Sequence, residues 1–221
     1  MTASLQAVVG TYSALKQVAY SIRTGRKHEA DDLVIAHHYS KRPPANVQQV
    51  VTWHEDGGLF GGDGRAVAAC YFSIPPTRWS EDVWELSRLV RVDACAVPLT
   101  VLIAKACALA KAKIDLVVSF ADKTQGHHGG IYQAASWNYA GARERAMDGV
   151  VIAGRFHAGR SCNSVWGTRS PVKLAKILGQ PVEAHYDEGK HCYWRPLRKA
   201  GEQKAARLDL GKMPYPKPRT V

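Results

Sequence analysis

The stretch "VVSFADKTQGHHGGIYQAASWNYAG", from Val117 to Gly141, concentrates side chains that can do chemistry. It holds a carboxylate at Asp122, an amide at Gln125, imidazoles at His127 and His128, and a phenol at Tyr132, among Gly126, Gly129 and Gly130. A carboxylate or imidazole can take a proton from a weak nucleophile, and a phenol can return one to a leaving group. A second cluster, "HHYSKRPP" at 37–44, adds His38 as a general base, Tyr39 as a stacking or hydrogen-bonding ring, and Ser40. Each has a plainer reading: Asp122 suits a turn cap, His38–Ser40 a surface loop, and Tyr132 a core aromatic. Adjacent histidines are common on loops, and neither H-x-x-x-H nor H-E-x-x-H occurs, so no metal site is assigned. Redox iron is kept only as a minor option.

These residues need a scaffold. Ile114–Phe120 is a continuous apolar, β-branched run, as a central strand requires, and it ends at Ala121-Asp122. Open sheets place their chemistry where such strand ends meet glycine-containing loops. A short helix and a second strand should follow within the same block. Upstream, apolar spacing predicts a helix over 4–23, and 24–46 reads as a polar, proline-containing connection. Val47–His54 and Ala66–Ile74 read as a hairpin around "EDGGLFGGDG". Val83–Val92 reads as a strand whose alternation puts Glu85 and Ser87 on one side and Arg88 on the other. Pro98–Lys113 reads as a helix, and His191–Trp194 as a last strand.

Charge points to a partner. The 221 residues carry 30 Lys+Arg against 19 Asp+Glu, a net +11, which suits a polyanion such as nucleic acid. Gly149–Val182 contains Arg155, Arg160, Arg169, Lys173 and Lys176 with no acid. A helix starting at Ser170-Pro171, preceded by Gly167-Thr168-Arg169, is a natural phosphate contact, though a solvated basic connection would look alike. The tail from Arg195 holds eight Lys/Arg, two acids and Pro214, Pro216 and Pro218, and reads as extended. No secretory signal or apolar span is evident, and five scattered cysteines suit a reducing cytoplasm.

Tyr132-Gln-Ala-Ala-Ser-Trp137 resembles the Y-x-x-x-G-F ending of a helix in the GNAT acetyltransferase fold, with Ser136 for Gly and Trp137 for Phe. The expected element order is also that of this fold. The expectation is a GNAT-like α/β (α+β) fold: a mixed, mostly antiparallel central sheet with flanking helices and a basic insertion at about 149–182. The catalytic domain would span 1–197, and the basic tail 198–221.

Five ordered segments carry a more specific resemblance: "HHYSKRPP" (37–44), "ELSRLVRVD" (85–93), the 117–141 block, "GRS…WGTRS" (159–170) and "EGKHCYWRPL" (188–197), with "KMPYPKPR" (212–219) closing. Together they resemble the Mom DNA-modification proteins of bacteriophage Mu and related phages and prophages. The resemblance implies an enzyme that adds a carbamoylmethyl (acetamido) group to the exocyclic amine of adenine in double-stranded DNA, shielding phage DNA from host restriction. It places the protein in the host cytoplasm, away from membranes.

Adenine's amine is a poor nucleophile, because its lone pair is delocalised into the ring. Such an enzyme must flip the base, orient the amine and remove a proton. On this reading the catalytic candidates are Asp122, Tyr39, His38, Tyr132 and Ser119. Substrate or donor contacts fall to Ser40, Glu85, Ser87, Arg88, Gln125, Gly126 and His127. DNA contacts fall to Lys41, Arg42, Arg160, Thr168, Arg169, Ser170 and Lys190. GNAT enzymes hold acyl-CoA with a glycine-rich loop before a helix, but here Asp93–Thr100 has no glycine. The donor is therefore left between acyl-CoA and a glycine-derived or aminoacyl-tRNA carrier, since the added group is isomeric with glycyl. Two other readings stand beside this one: an ordinary GNAT acetylating a protein or small-molecule amine, and a non-catalytic DNA-binding module.

Overall fold

The computed structural model describes residues 20–55, 64–75, 79, 83–95 and 97–217, apart from the Arg160 side chain. The chain forms two compact units. One runs to Val117 and includes Pro196–Lys204; the other comprises Val118–Arg195 and the residues from Ala205.

In the first unit, β1 (Tyr20–Thr24), β2 (Val47–Glu55), β3 (Ala66–Ser73) and β4 (Trp84–Arg91) pair antiparallel in that order. Every β3 residue from Val67 to Ser73 is buried, so the strand must be covered on both faces. Helix α1 (Lys27–His37) covers one face, packing Ala30, Leu33 and Val34 against Val50, Ala69, Tyr71 and Val90. Tyr71 then donates a 2.6 Å hydrogen bond from its hydroxyl to Asp31 of α1. Helix α2 (Leu99–Ala110) also packs on β2 and β3, its Cys107 beside Cys70, whose side chain alternates with those of Ala69 and Tyr71.

The hairpin strands, β4 and α2 form close to the expected bounds, and the turn at 56–63 lies outside the described residues. The expected helix over 4–23 is corrected at its described end, because Tyr20–Thr24 is a strand. Most of that stretch lies outside the described residues. Tyr20 and Ile22 follow the two-residue alternation of a strand, and Tyr20 meets Trp53 of β2 edge-on at 6.0 Å. Helix α1 occupies the supposed connection at 24–46. It buries only three side chains, too narrow an apolar stripe to read beside the prolines that follow.

In the second unit, β10 (Lys190–Pro196) lies between β5 (Leu116–Asp122) and β6 (Asn138–Ala142), antiparallel to β6. A 3₁₀ turn (Lys123–Gln125) and helix α3 (Gly130–Ala134) link β5 to β6. The basic insertion is a small folded module. Strands β8 (Arg155–Ala158), β7 (Met147–Ile152) and β9 (Val182–Tyr186) form an antiparallel sheet in that order. Helices α4 (Gly159–Trp166) and α5 (Pro171–Leu178) complete it around Val150, Ile152, Cys162 and Leu174. Ala153 and Gly154 both have positive φ, the two-residue hairpin turn that suits twisted strands.

The tail also departs from expectation. Lys199–Arg207 forms helix α6, and the residues after it are pinned. Met213 bridges Tyr139, Tyr215 donates to the Trp137 carbonyl, and the Trp194 indole donates to the Gly211 carbonyl. The fold class is α+β with mostly antiparallel sheet and flanking helices. No helix among the described residues is long and apolar enough to cross a membrane.

Candidate active site

The Asp122 carboxylate, at the end of β5, accepts a 3.0 Å hydrogen bond from the Thr124 amide and so caps the 3₁₀ turn. That satisfies one oxygen and aims the group at the strand end. Gln125 and His127 beyond it are exposed, and Gly126 closes the turn with φ 69°. An open hollow beside the turn is lined by Lys123, Thr124, Arg145, Tyr186 and Glu188, with the Arg145 guanidinium 5.0 Å above the Tyr186 ring.

Ser119, three residues before the strand end, faces the same side as Ala121 and donates a 2.7 Å hydrogen bond to the Tyr132 hydroxyl. Because that oxygen accepts, the phenolic proton of Tyr132 is directed elsewhere. Tyr132 is packed against Trp137 at 5.3 Å and Tyr193 at 5.2 Å. Tyr193 hydrogen-bonds the His128 carbonyl at 2.6 Å and accepts from the Gln133 amide at 3.0 Å, which fixes the loop that leads into α3. Below it, the Tyr139 hydroxyl lies 2.8 Å from Nδ1 of His191. Burial raises the Tyr139 phenol, and burial followed by the Lys123 and His128 charges lowers the His191 imidazole. A neutral imidazole accepting from a neutral phenol satisfies both. Of this set only Tyr132 was picked out from the sequence, although "HCYW" supplies two more members, His191 and Tyr193.

The first unit holds the other candidates. Tyr39 is half exposed and stacks on His38 at 4.4 Å. The Ser40 amide donates to Nδ1 of His38 at 3.1 Å, and the Ser40 hydroxyl lies 2.9 Å from the same atom. A backbone N–H can only donate, so Nδ1 is the acceptor and neutral His38 carries its proton on Nε2. The imidazole therefore presents a donor to its surroundings rather than the lone pair expected of a general base. Lys41 turns back to the Ala36 carbonyl at the end of α1, and the Arg42 carbonyl accepts from Nε of Arg88 at 3.0 Å.

Strand β4 corrects the expected facing. Tyr71 pairs with Arg88 and Phe72 with Leu86, so Ser87 is an extra, bulged residue. The bulge shifts the alternation by one. Glu85, opposite Ser73, and Arg88, opposite Tyr71, therefore share the α1 face instead of lying on opposite sides. The Ser87 hydroxyl is buried without a hydrogen-bond partner among the described residues.

The expected DNA contacts divide. Thr168 accepts from the Ser170 amide, and Ser170 caps α5 by accepting from the Lys173 amide, which leaves each hydroxyl proton available to donate. Arg169 is exposed, Lys190 pairs with Asp187 at 3.6 Å, and the Arg160 side chain lies outside the described residues. No three His, Cys, Asp or Glu side chains group together among the described residues.

Two backbone positions at the start of α2 offer no amide to a coenzyme A pyrophosphate. Pro98 has no N–H, the Val101 amide is spent on the Pro98 carbonyl, and Arg91 occupies the Val97 carbonyl.

From α1 to β6 the order of helix, three strands, helix, strand, helix and strand is the expected one, with β1 added ahead of it. The Mom protein family matches residues 19–217, and the chain belongs to it. No curated protein matches the chain. Solved structures similar to it include an N-acetyltransferase from Staphylococcus aureus Mu50, at 13% identity and TM-score 0.47, covering 81% of this chain and 99% of that one. Another is the ribosomal-protein-S18-alanine N-acetyltransferase from Escherichia coli, at 10% identity and TM-score 0.45, covering 83% and 97%. A GNAT family acetyltransferase from Elizabethkingia anophelis with acetyl-CoA bound shows 8% identity and TM-score 0.46, covering 80% and 97%.

Proposed function

We propose that this protein is a DNA-modification transferase that places a carbamoylmethyl group on the exocyclic amine of adenine in double-stranded DNA. Membership of the Mom protein family over residues 19–217 is the observation that carries this reading. The net +11 charge supports a polyanionic substrate. On this reading the amine nitrogen attacks the donor carbon as the bond from that carbon to its carrier breaks. The proton lost by nitrogen goes to the Asp122 carboxylate, whose other oxygen is held by Thr124. The carrier leaves with the bonding electrons and takes the proton of Tyr132, which Ser119 orients. The carrier is left between acyl-CoA and a glycine-derived or aminoacyl-tRNA donor; attack at a glycyl carbonyl gives the isomeric glycyl amide, which yields carbamoylmethyl only after an internal rearrangement.

Mass spectrometry of nucleosides from plasmid DNA tests this. Cells expressing the protein should yield a deoxyadenosine in which one hydrogen is replaced by carbamoylmethyl, and cells expressing Asp122→Ala should not. Unmodified deoxyadenosine beside soluble, folded wild-type protein would refute the reading.

A further inference from the structure

Helices α4 and α5 are joined by four residues, Gly167–Ser170. Gly167, with φ 67°, ends the first helix, and Ser170 caps the second through its hydroxyl. Two helices linked by a short glycine-containing turn are the skeleton of a helix-turn-helix, whose second helix can enter the major groove of DNA. The module supports the pair on its own sheet. Leu174 is fully buried in its core, and Leu178 and Trp166 pack against that core.

The opposite side of α5 is bare. Val172 is 68% exposed and Ile177 56%, with exposed Lys173 and Lys176 between them. At 100° per residue these four lie within one stripe: Val172 and Lys176 form one row, and Lys173 and Ile177 the next. Arg169 extends the positive charge at the turn, its methylene stem 3.6 Å from where a side chain on Gly159 would begin. No acid lies between Gly149 and Val182. An exposed apolar stripe usually marks a partner surface, and interleaved cations with no acid nearby make that partner a polyanion. A major groove offers both chemistries, phosphate oxygens for the lysines and thymine methyls and base edges for Val172 and Ile177.

We propose that α5 is a DNA-reading helix. Its Lys173 and Lys176 hold the phosphates of a duplex, while Val172 and Ile177 contact base edges in the major groove and set which sequences are bound. This rests on the proposed function for its partner and goes beyond it by separating sequence selection from the reacting residues.

The test uses the full chain and fluorescent DNA duplexes selected from a random pool by the wild type. Lys173→Ala/Lys176→Ala should weaken binding to every duplex and reduce the salt slope by about two. Val172→Ser/Ile177→Ser should keep the salt slope and bring the ratio of selected to random duplex close to one. All four side chains are exposed, so circular dichroism and thermal melting should match wild type; a variant that unfolds is replaced by Lys173→Gln/Lys176→Gln or Val172→Thr/Ile177→Thr. Unchanged affinity, slope and ratio in folded variants would overturn the proposal. So would equal binding of an RNA duplex, whose narrow major groove excludes a helix. If wild-type cells carry modified adenine while the variants bind normally, this inference fails and the proposed function stands. If adenine is never modified yet the variants lose duplex binding as described, the reverse holds.

Discussion

Tyr193 lies against the α-carbon of Gly129 so closely that a methyl group there would stand 2.2 Å from Cε2 of the ring. Gly129 also has φ 82°, where a side chain is strained whatever the room. The contact brings the Tyr193 hydroxyl to the His128 carbonyl and fixes the approach to Tyr132. Gly129→Ala should therefore cost about 2–4 kcal/mol, from left-handed strain plus overpacking. Urea unfolding measures it, and a loss under about 0.5 kcal/mol would mean the loop moves freely away from the ring.

Ser136 is the opposite case. It adopts φ 57° where the GNAT pattern has glycine, and it is exposed. Ser136→Gly relieves roughly 1–2 kcal/mol of strain and adds roughly 0.5–1 kcal/mol of unfolded-chain entropy. The variant should be more stable by about 0.5–1 kcal/mol at unchanged activity. Thermal melting decides the sign.

The Tyr139–His191 pair makes stability depend on pH. His191 is pulled below its ordinary 6.5, chiefly by burial, so it binds fewer protons folded than unfolded. Its contribution is whole above 6.5 and shrinks as pH falls from there toward the folded value. The unfolding midpoint should drop on acidification through that interval, with a shallower slope in His191→Gln. Equal slopes would remove His191 from the effect.

Tyr132→Phe separates chemistry from packing. The ring contacts with Trp137 and Tyr193 survive, while the Ser119 hydroxyl loses its acceptor, at a cost of about 1–2 kcal/mol. Loss of a general acid should slow adenine modification by about 10²–10⁴-fold. Single-turnover mass spectrometry on purified protein and DNA reads that ratio, and a change under threefold would reduce Tyr132 to a core aromatic.

The strands and helices that bury broad surfaces were legible. Val47–Glu55, Ala66–Ser73 and Leu116–Asp122 form near their expected bounds because their apolar runs leave few alternatives. Helix α1 was not, because three buried side chains among charges make a faint stripe. Strand β9 and helix α4 share one small core and β8 buries none of its residues, so none carries a strong period by itself. Ser119 and Tyr132, named from residue type and strand position, lie 2.7 Å apart, and Asp122 ends the same strand as Ser119. The facing of Arg88 was not, since a one-residue bulge inverts alternation without changing composition. The proton position on His38 depends on the Ser40 amide, a backbone contact that residue spacing does not encode.

All five cysteines are buried, and burial pushes the Cys70 and Cys162 thiols upward, away from the reactive thiolate. Alkylating reagents and mild oxidants should thus find little to attack until the chain opens. Cys162 sits in the small module and Cys70 in the strand between α1 and α2, so the order in which they become labelled would record which part of the molecule breathes first.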